Sequence, residues 1–283
     1  MTSVNNDVRR NREIEEATNL YFIHPLSARL VPLLARAGVH PNTVSIAGAL
    51  CGIAAGIAYY KHFIFLGFAL MIAWHIFDGA DGQLARLTNK TSPSGQVVDG
   101  ACDYITFGAI YLAIALTLLN THKLSVLILV VAAAASHAVQ AAAFEHQREV
   151  YLSWRKMESA SVADVTARMS SPATLAMRYY AWIQRPFLSL PPALKHDLME
   201  RAGRSEAAEI GAKYREVYRG SVKLWSILSA NNRSIAIFIA FLLNWPEGYL
   251  WLEVVALNLM VVGLMRMNAA SGKRLAVLTG EAA

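Results

Sequence analysis

Asp78, Asp81, Asp99 and Asp103 stand close together in a chain that is otherwise strongly apolar around them. The intervals of three and four residues put Asp78 with Asp81, and Asp99 with Asp103, each on one face of a helix. A short polar segment, 88–94, joins the two stretches, so the helices would be antiparallel neighbours with those faces able to meet. An unpaired acid at the centre of a membrane helix costs roughly 2.5–3.5 kcal/mol, and four would cost on the order of 10 kcal/mol before their mutual repulsion. Arg86 and Lys90 are the only bases near them in sequence. Two divalent cations would neutralise the set. Oxygen-only donors favour hard ions such as Mg²⁺, Mn²⁺ or Ca²⁺ over zinc. Paired cations about 3.5–4 Å apart are the usual device for displacement at phosphorus. A capping cluster at the headgroup boundary is the plainer reading of one aspartate, but not of four on two facing surfaces.

The residues between the acids are small: Gly79, Ala80, Gly82, Ala85, Gly95, Gly100 and Ala101. They leave room for a ligand or for close backbone approach, although small residues also serve plain packing between membrane helices. Cys102 adjoins Asp103 and reads as a packed thiol rather than a nucleophile. With Cys51 it makes neither a disulfide framework nor a metal-ligand spacing.

The elements that must carry these acids follow from composition. Of 283 residues, 55% are apolar and 16% charged, against roughly a quarter charged in an ordinary globular chain. Several apolar runs approach the ~20 residues that cross a bilayer as a helix. The expected fold is an all-α, polytopic membrane protein with six transmembrane helices. The spans fall near 41–60, 63–87, 95–119, 124–144, 234–245 (with a start as early as Leu224) and 249–267. Gly48, Gly52 and Gly56 line one face of the first span, where another helix can approach.

Residues 1–40 read as a polar arm, without a cleavable signal peptide, followed by an N-terminal interfacial amphipathic segment. In that segment Arg29 and Arg36 point to headgroups, and Pro25 and Pro32 predict an interruption of the helix. Residues 41–144 hold spans one to four, residues 145–229 a helical cytoplasmic insertion between spans four and five, and residues 230–283 spans five and six with a tail beginning at Gly272. Trp154, Tyr179, Tyr180, Trp182 and Phe187 among basic residues of the insertion suit a membrane surface layer better than single-stranded nucleic acid. The net charge of +6 gathers in segments on one side, so the expected partner is the lipid bilayer and no nucleic acid. By the positive-inside rule that side, with the acids at its level, is cytoplasmic.

The pattern D-x2-D-G-x2-A-R-x8-G-x3-D-x3-D is met at Asp78, Asp81, Gly82, Ala85, Arg86, Gly95, Asp99 and Asp103. It resembles the signature of the CDP-alcohol phosphotransferases (class I CDP-alcohol phosphatidyltransferases). The likeness is strong over about Pro41 to Asp103, with Pro41-Asn42 and Ser45 similar to an upstream motif. The resemblance implies a membrane transferase of phospholipid biosynthesis that moves a phosphatidyl or substituted-phosphate group from a CDP-alcohol to a hydroxyl, releasing CMP. It implies two divalent cations, Mg²⁺ or Mn²⁺: Asp78, Asp81 and Asp99 on the first, Asp78, Asp99 and Asp103 on the second, with Asp103 also the catalytic base. It implies CDP contacts at Gly82, Ala85, Arg86, Ser92, Gly95, Asn42 and Ser45. A homodimer in a bacterial inner membrane is expected with it.

Outside the signature the residues leave alternatives. His137, Gln140, Glu145, His146 and Arg148 either line an acceptor pocket or mark where the fourth span leaves the membrane. Arg266, Lys273 and Arg274 bind an acceptor phosphate or anchor the last span. The acceptor candidates taken from these are His146, Arg148 and Arg266. Glu253 and Asn258, inside the sixth span, need polar partners. The expected donor is CDP-diacylglycerol. Headgroup transfer from a soluble CDP-alcohol to a lipid hydroxyl is the alternative, and an ion or proton transporter using intramembrane acids is the alternative of another class.

Overall fold

The computed structural model describes residues 13–119, 124–157 and 190–280. Expectations for most of the polar arm, the turn at 120–123, and Tyr179, Tyr180, Trp182 and Phe187 of the insertion lie outside these. Among the described residues there is helix and no strand. Six helical segments among the described residues are long and apolar enough to cross a membrane: Pro41–Tyr60, Ile64–Leu87, Ser94–Leu119, Val126–Met157, Ala207–Leu242 and Pro246–Leu278. The protein is an integral membrane protein of all-α class, as its apolar periodicity predicts.

The chain forms two compact units, Met1–His137 with Ala230–Ala256, and Ala138–Ser229 with Leu257–Ala283. The first unit begins with a π-helical turn, Asn19–Ile23, that runs into α1, His24–Arg36. The interruption expected at the prolines does not occur. Pro25 stands in the first turn of α1, where the π-helical turn passes into it. Pro32 lies inside the helix and forfeits one backbone bond, while Ser27 and Val31 beside it are buried. Tertiary contact overrides the local penalty. Arg29 and Arg36 are exposed, as an interfacial helix requires.

Helices α2 (Pro41–Tyr60), α3 (Ile64–Leu87) and α4 (Pro93–Leu119) follow. His40 caps α2 by accepting from the Asn42 N–H at 3.3 Å. The glycine face of α2 is a packing face. A methyl added at Gly48 would meet Phe77 of α3 at 3.2 Å, one at Gly52 would overlap Thr106 of α4, and one at Gly56 would lie 2.7 Å from the Ala109 carbonyl. The core behind this contact includes Tyr59, Met71, Trp74, Ile110, Ile114 and Phe241.

Helix α5 runs Val126–Met157, well past the end expected near Phe144. The polar residues after Phe144 continue a helix that Tyr151, Trp154 and Met157 bury. In the second unit α6 (Pro192–Arg201) and a π-turn lead to α7 (Ala207–Trp225). A stack of Trp154, Tyr214 and Tyr218 rings, with centroids 5.2 and 4.3 Å apart, fixes α7. Helix α8 (Ala230–Leu242) and α9 (Pro246–Trp251) belong to the first unit. A π-turn, Leu252–Ala256, then feeds α10 (Leu257–Leu278). The tail expected from Gly272 is therefore helix as far as Leu278, because Ser271, Gly272, Leu275 and Ala276 form a buried stripe.

Candidate active site

Asp78 lies in the second half of α3, and Asp99 and Asp103 in the first half of α4. Each can offer one carboxylate oxygen such that the three oxygens lie within 4.8 Å of one another, and all three residues are half-buried. Three like charges this close in a low-dielectric setting repel strongly unless a cation joins them. The donor set is oxygen only, which fits a hard divalent ion. Asp78, Asp99 and Asp103 can hold a metal.

Asp81 is not in that trio. It is buried, and the Ser45 hydroxyl of α2 donates to its Oδ2. The same hydroxyl has the Pro41 carbonyl at 3.3 Å, so Ser45 ties the start of α2 to the acidic turn of α3. Helix phase alone puts Asp78 and Asp81 on one face but leaves open which carboxylate reaches α4.

The other signature positions gather at the same ends of α2, α3 and α4. Arg86 folds back along α3 over Gly82: a methyl at Gly82 would lie 3.4 Å from Arg86 Nη1. The Ser92 hydroxyl accepts from the Gly95 N–H at 3.0 Å, which caps the start of α4. A methyl at Gly95 would sit 3.1 Å from Ser92 Oγ and 3.5 Å from Asn42 Oδ1, so these three residues share one corner. Ala85 is half-buried. Cys102 is buried, as a packed thiol should be.

His146, Arg148 and Arg266 belong to the second unit. His146 is buried, Arg148 donates to Glu145 at 2.6 Å one helical turn away, and Arg266 is exposed. The polar residues of the last span have partners. Gln140 donates to Asn258 at 3.0 Å. Glu253, fully buried, accepts from Arg233 Nε at 2.9 Å and from the Tyr249 hydroxyl at 2.7 Å. His137 Nδ1 is 3.8 Å from the same carboxylate and 3.2 Å from the Tyr111 hydroxyl. Arg233 escapes a reading of the sequence because it stands at the mouth of the fifth apolar run. The available signal is Glu253 itself, a lone acid inside an apolar span that demands a base.

Fold and site together define an integral membrane protein in which three carboxylates of α3 and α4 stand close enough to hold a cation. Comparison with known proteins narrows this. The family model for CDP-alcohol phosphatidyltransferases matches residues 38–187, and the chain belongs to that family. It is similar to phosphatidylinositol phosphate synthase of Mycobacteroides abscessus, 32% identical over 29% of this chain and 38% of that protein. It is likewise similar to archaetidylinositol phosphate synthase of Pyrococcus horikoshii, 32% identical over 31% of this chain and 47% of that protein. The matched region thus spans less than half the length of these relatives. Among solved structures, Mycobacterium tuberculosis phosphatidylinositol phosphate synthase in complex with manganese and citrate aligns over 80% of this chain and 88% of that one, at 18% identity and a TM-score of 0.33.

Proposed function

We propose that this protein transfers a substituted phosphate, a phosphatidyl group in the first instance, from CDP-diacylglycerol to the hydroxyl of a small polar alcohol phosphate, with release of CMP. The observation that carries this reading is the convergence of Asp78, Asp99 and Asp103 within 4.8 Å, in a chain of this family. Relatives named for inositol phosphate products favour an inositol phosphate acceptor.

In this reading Asp78, Asp81 and Asp99 serve one Mg²⁺ or Mn²⁺, and Asp78, Asp99 and Asp103 a second. When bound, such cations offset charge on the donor pyrophosphate and on the departing CMP. The acceptor oxygen attacks the phosphorus that carries the diacylglycerol, and the bond from that phosphorus to the CMP oxygen breaks. Asp103 takes the hydroxyl proton, acting as general base within hydrogen-bond reach. Arg86 offers a planar fork to the donor phosphates, across the space that Gly82 leaves bare. Asn42, Ser45, Ala85, Ser92 and Gly95 shape the cytidine end. His146, Arg148 and Arg266 are the acceptor candidates. A cytoplasmic site and a homodimer complete the reading.

The test is CMP release from membranes holding the protein, given labelled CDP donors, Mg²⁺ or Mn²⁺, and a panel of alcohol acceptors. CMP formed from CDP-diacylglycerol with an alcohol phosphate is the expected outcome. CMP formed only from a soluble CDP-alcohol and a lipid hydroxyl would reverse donor and acceptor. Silence with every pair would end the enzyme reading.

A further inference from the structure

The acidic turn of α3 is held by a helix that carries none of the acids. Ser27 of α1 is fully buried. Its hydroxyl donates to the Ile76 carbonyl of α3 at 2.8 Å, with the Ile23 carbonyl at 3.0 Å as the alternative acceptor. Directly beside it Gly79 leaves no space. A methyl there would lie 2.7 Å from Ser27 Oγ and 3.4 Å from Ser27 Cβ. Ile76 and Gly79 bracket Asp78 along the helix. The seam continues with Val31 of α1 packed against Ala80 and Leu84 of α3. The side of α1 away from the seam presents Arg29, Leu33 and Arg36, so one helix meets the membrane interface and the acidic turn at once.

We propose that Ser27 and Gly79 form a joint through which α1 positions the Asp78 carboxylate against Asp99 and Asp103. Ser27 is a positioning residue for the metal centre, and the proposal rests on that centre being one. Asp78 belongs to the trio only while α3 keeps its depth and rotation against α4. Mutual repulsion among three carboxylates acts to rotate or slide the helices apart. Ser45 steadies the following turn from α2 through Asp81 and Gly48 of α2 packs close to Phe77, while the α1 joint holds the turn that bears Asp78 at Ile76 and Gly79. Groups that orient metal ligands without touching the metal typically change affinity about 10–100-fold when altered.

The test is Mn²⁺ binding to the purified full-length protein, followed by the electron paramagnetic resonance signal of free Mn²⁺ without substrate, with the thermal midpoint measured alongside. Gly79→Ala should weaken Mn²⁺ binding about tenfold at temperatures well below its midpoint. Ser27→Ala alone, which removes one neutral hydrogen bond, should weaken it about two- to threefold, clearly less than Gly79→Ala. The double variant should return to the level of Ser27→Ala, because the new methyl then meets Ser27 Cβ at 3.4 Å and Ile23 Cγ2 at 3.7 Å, both ordinary contacts. Gly79→Ala binding as tightly as the unaltered protein would overturn the joint. So would a double variant no better than Gly79→Ala, or affinity lost only as the protein melts. If Gly79→Ala does not fold, Ser27→Ala decides, and unchanged affinity overturns the proposal. An unaltered protein that binds no Mn²⁺ overturns the metal centre itself, a different result from any of these.

Discussion

Ser45 of α2 donates its hydroxyl to the buried carboxylate of Asp81 on α3, while the Asp78 carboxylate one turn earlier joins Asp99 and Asp103. Two acids that share a helix face thus have different neighbours. A hydrogen bond to a charged group is worth about 1.5–3 kcal/mol. Ser45→Ala is therefore expected to lower CMP release about ten- to a hundredfold, with a raised Mn²⁺ requirement. Ser45→Thr, which keeps the hydroxyl, should retain most of the rate. Steady-state rates across a Mn²⁺ titration check this.

Asp103→Asn keeps the size of the side chain and removes the base. Turnover should fall to background while labelled CDP donor still binds, because Asp78, Asp81 and Asp99 remain. Chelation with EDTA should abolish turnover in the unaltered protein, and Mn²⁺ should restore it there but not in Asp103→Asn. CMP release with parallel donor-binding measurements separates the two effects.

Gly56 and Gly82 should respond in opposite ways to the same substitution. At Gly56 a methyl meets a backbone carbonyl of α4 at 2.7 Å, which cannot swing aside. Gly56→Ala should cost about 1–3 kcal/mol of stability by overpacking, seen in thermal unfolding in detergent. At Gly82 the nearest atom is the flexible end of Arg86, at 3.4 Å. Gly82→Ala should leave the midpoint unchanged and raise KM for the CDP donor.

Arg233 and Glu253 form an ion pair that is 2% and 0% exposed. Removing one partner leaves a buried charge, so Arg233→Met or Glu253→Gln should destabilise the protein by about 3–5 kcal/mol. The double change to Met and Gln should recover much of that loss, since paired replacement of buried ions is often near neutral. Denaturant titration of the three variants is the check.

Much of the fold could be read from residue order. The count of six apolar runs, the glycine face of α2, and the acids at the joined ends of α3 and α4 follow from composition and spacing, but the fifth spanning segment reaches back to Ala207, inside the stretch expected as an insertion. The lengths of α5 and α10 did not. Residues 145–157 and 268–278 are locally polar, and only burial of Tyr151, Trp154, Ser271 and Leu275 extends the helices through them. Pro32 misled for the same reason: its cost is local, and the packing that offsets it comes from other parts of the chain.

The sequence by itself determined that four carboxylates would sit at helical phase in apolar surroundings, because spacing along a helix is a property of one segment. Which three of them converge, and that Ser45 engages the fourth, was decided by how α2, α3 and α4 rotate against one another. The same holds for Ser27 against Gly79 and for Arg233 with Glu253. These contacts join residues far apart in the chain, so no local pattern contains them, and they exist only once the helices have packed.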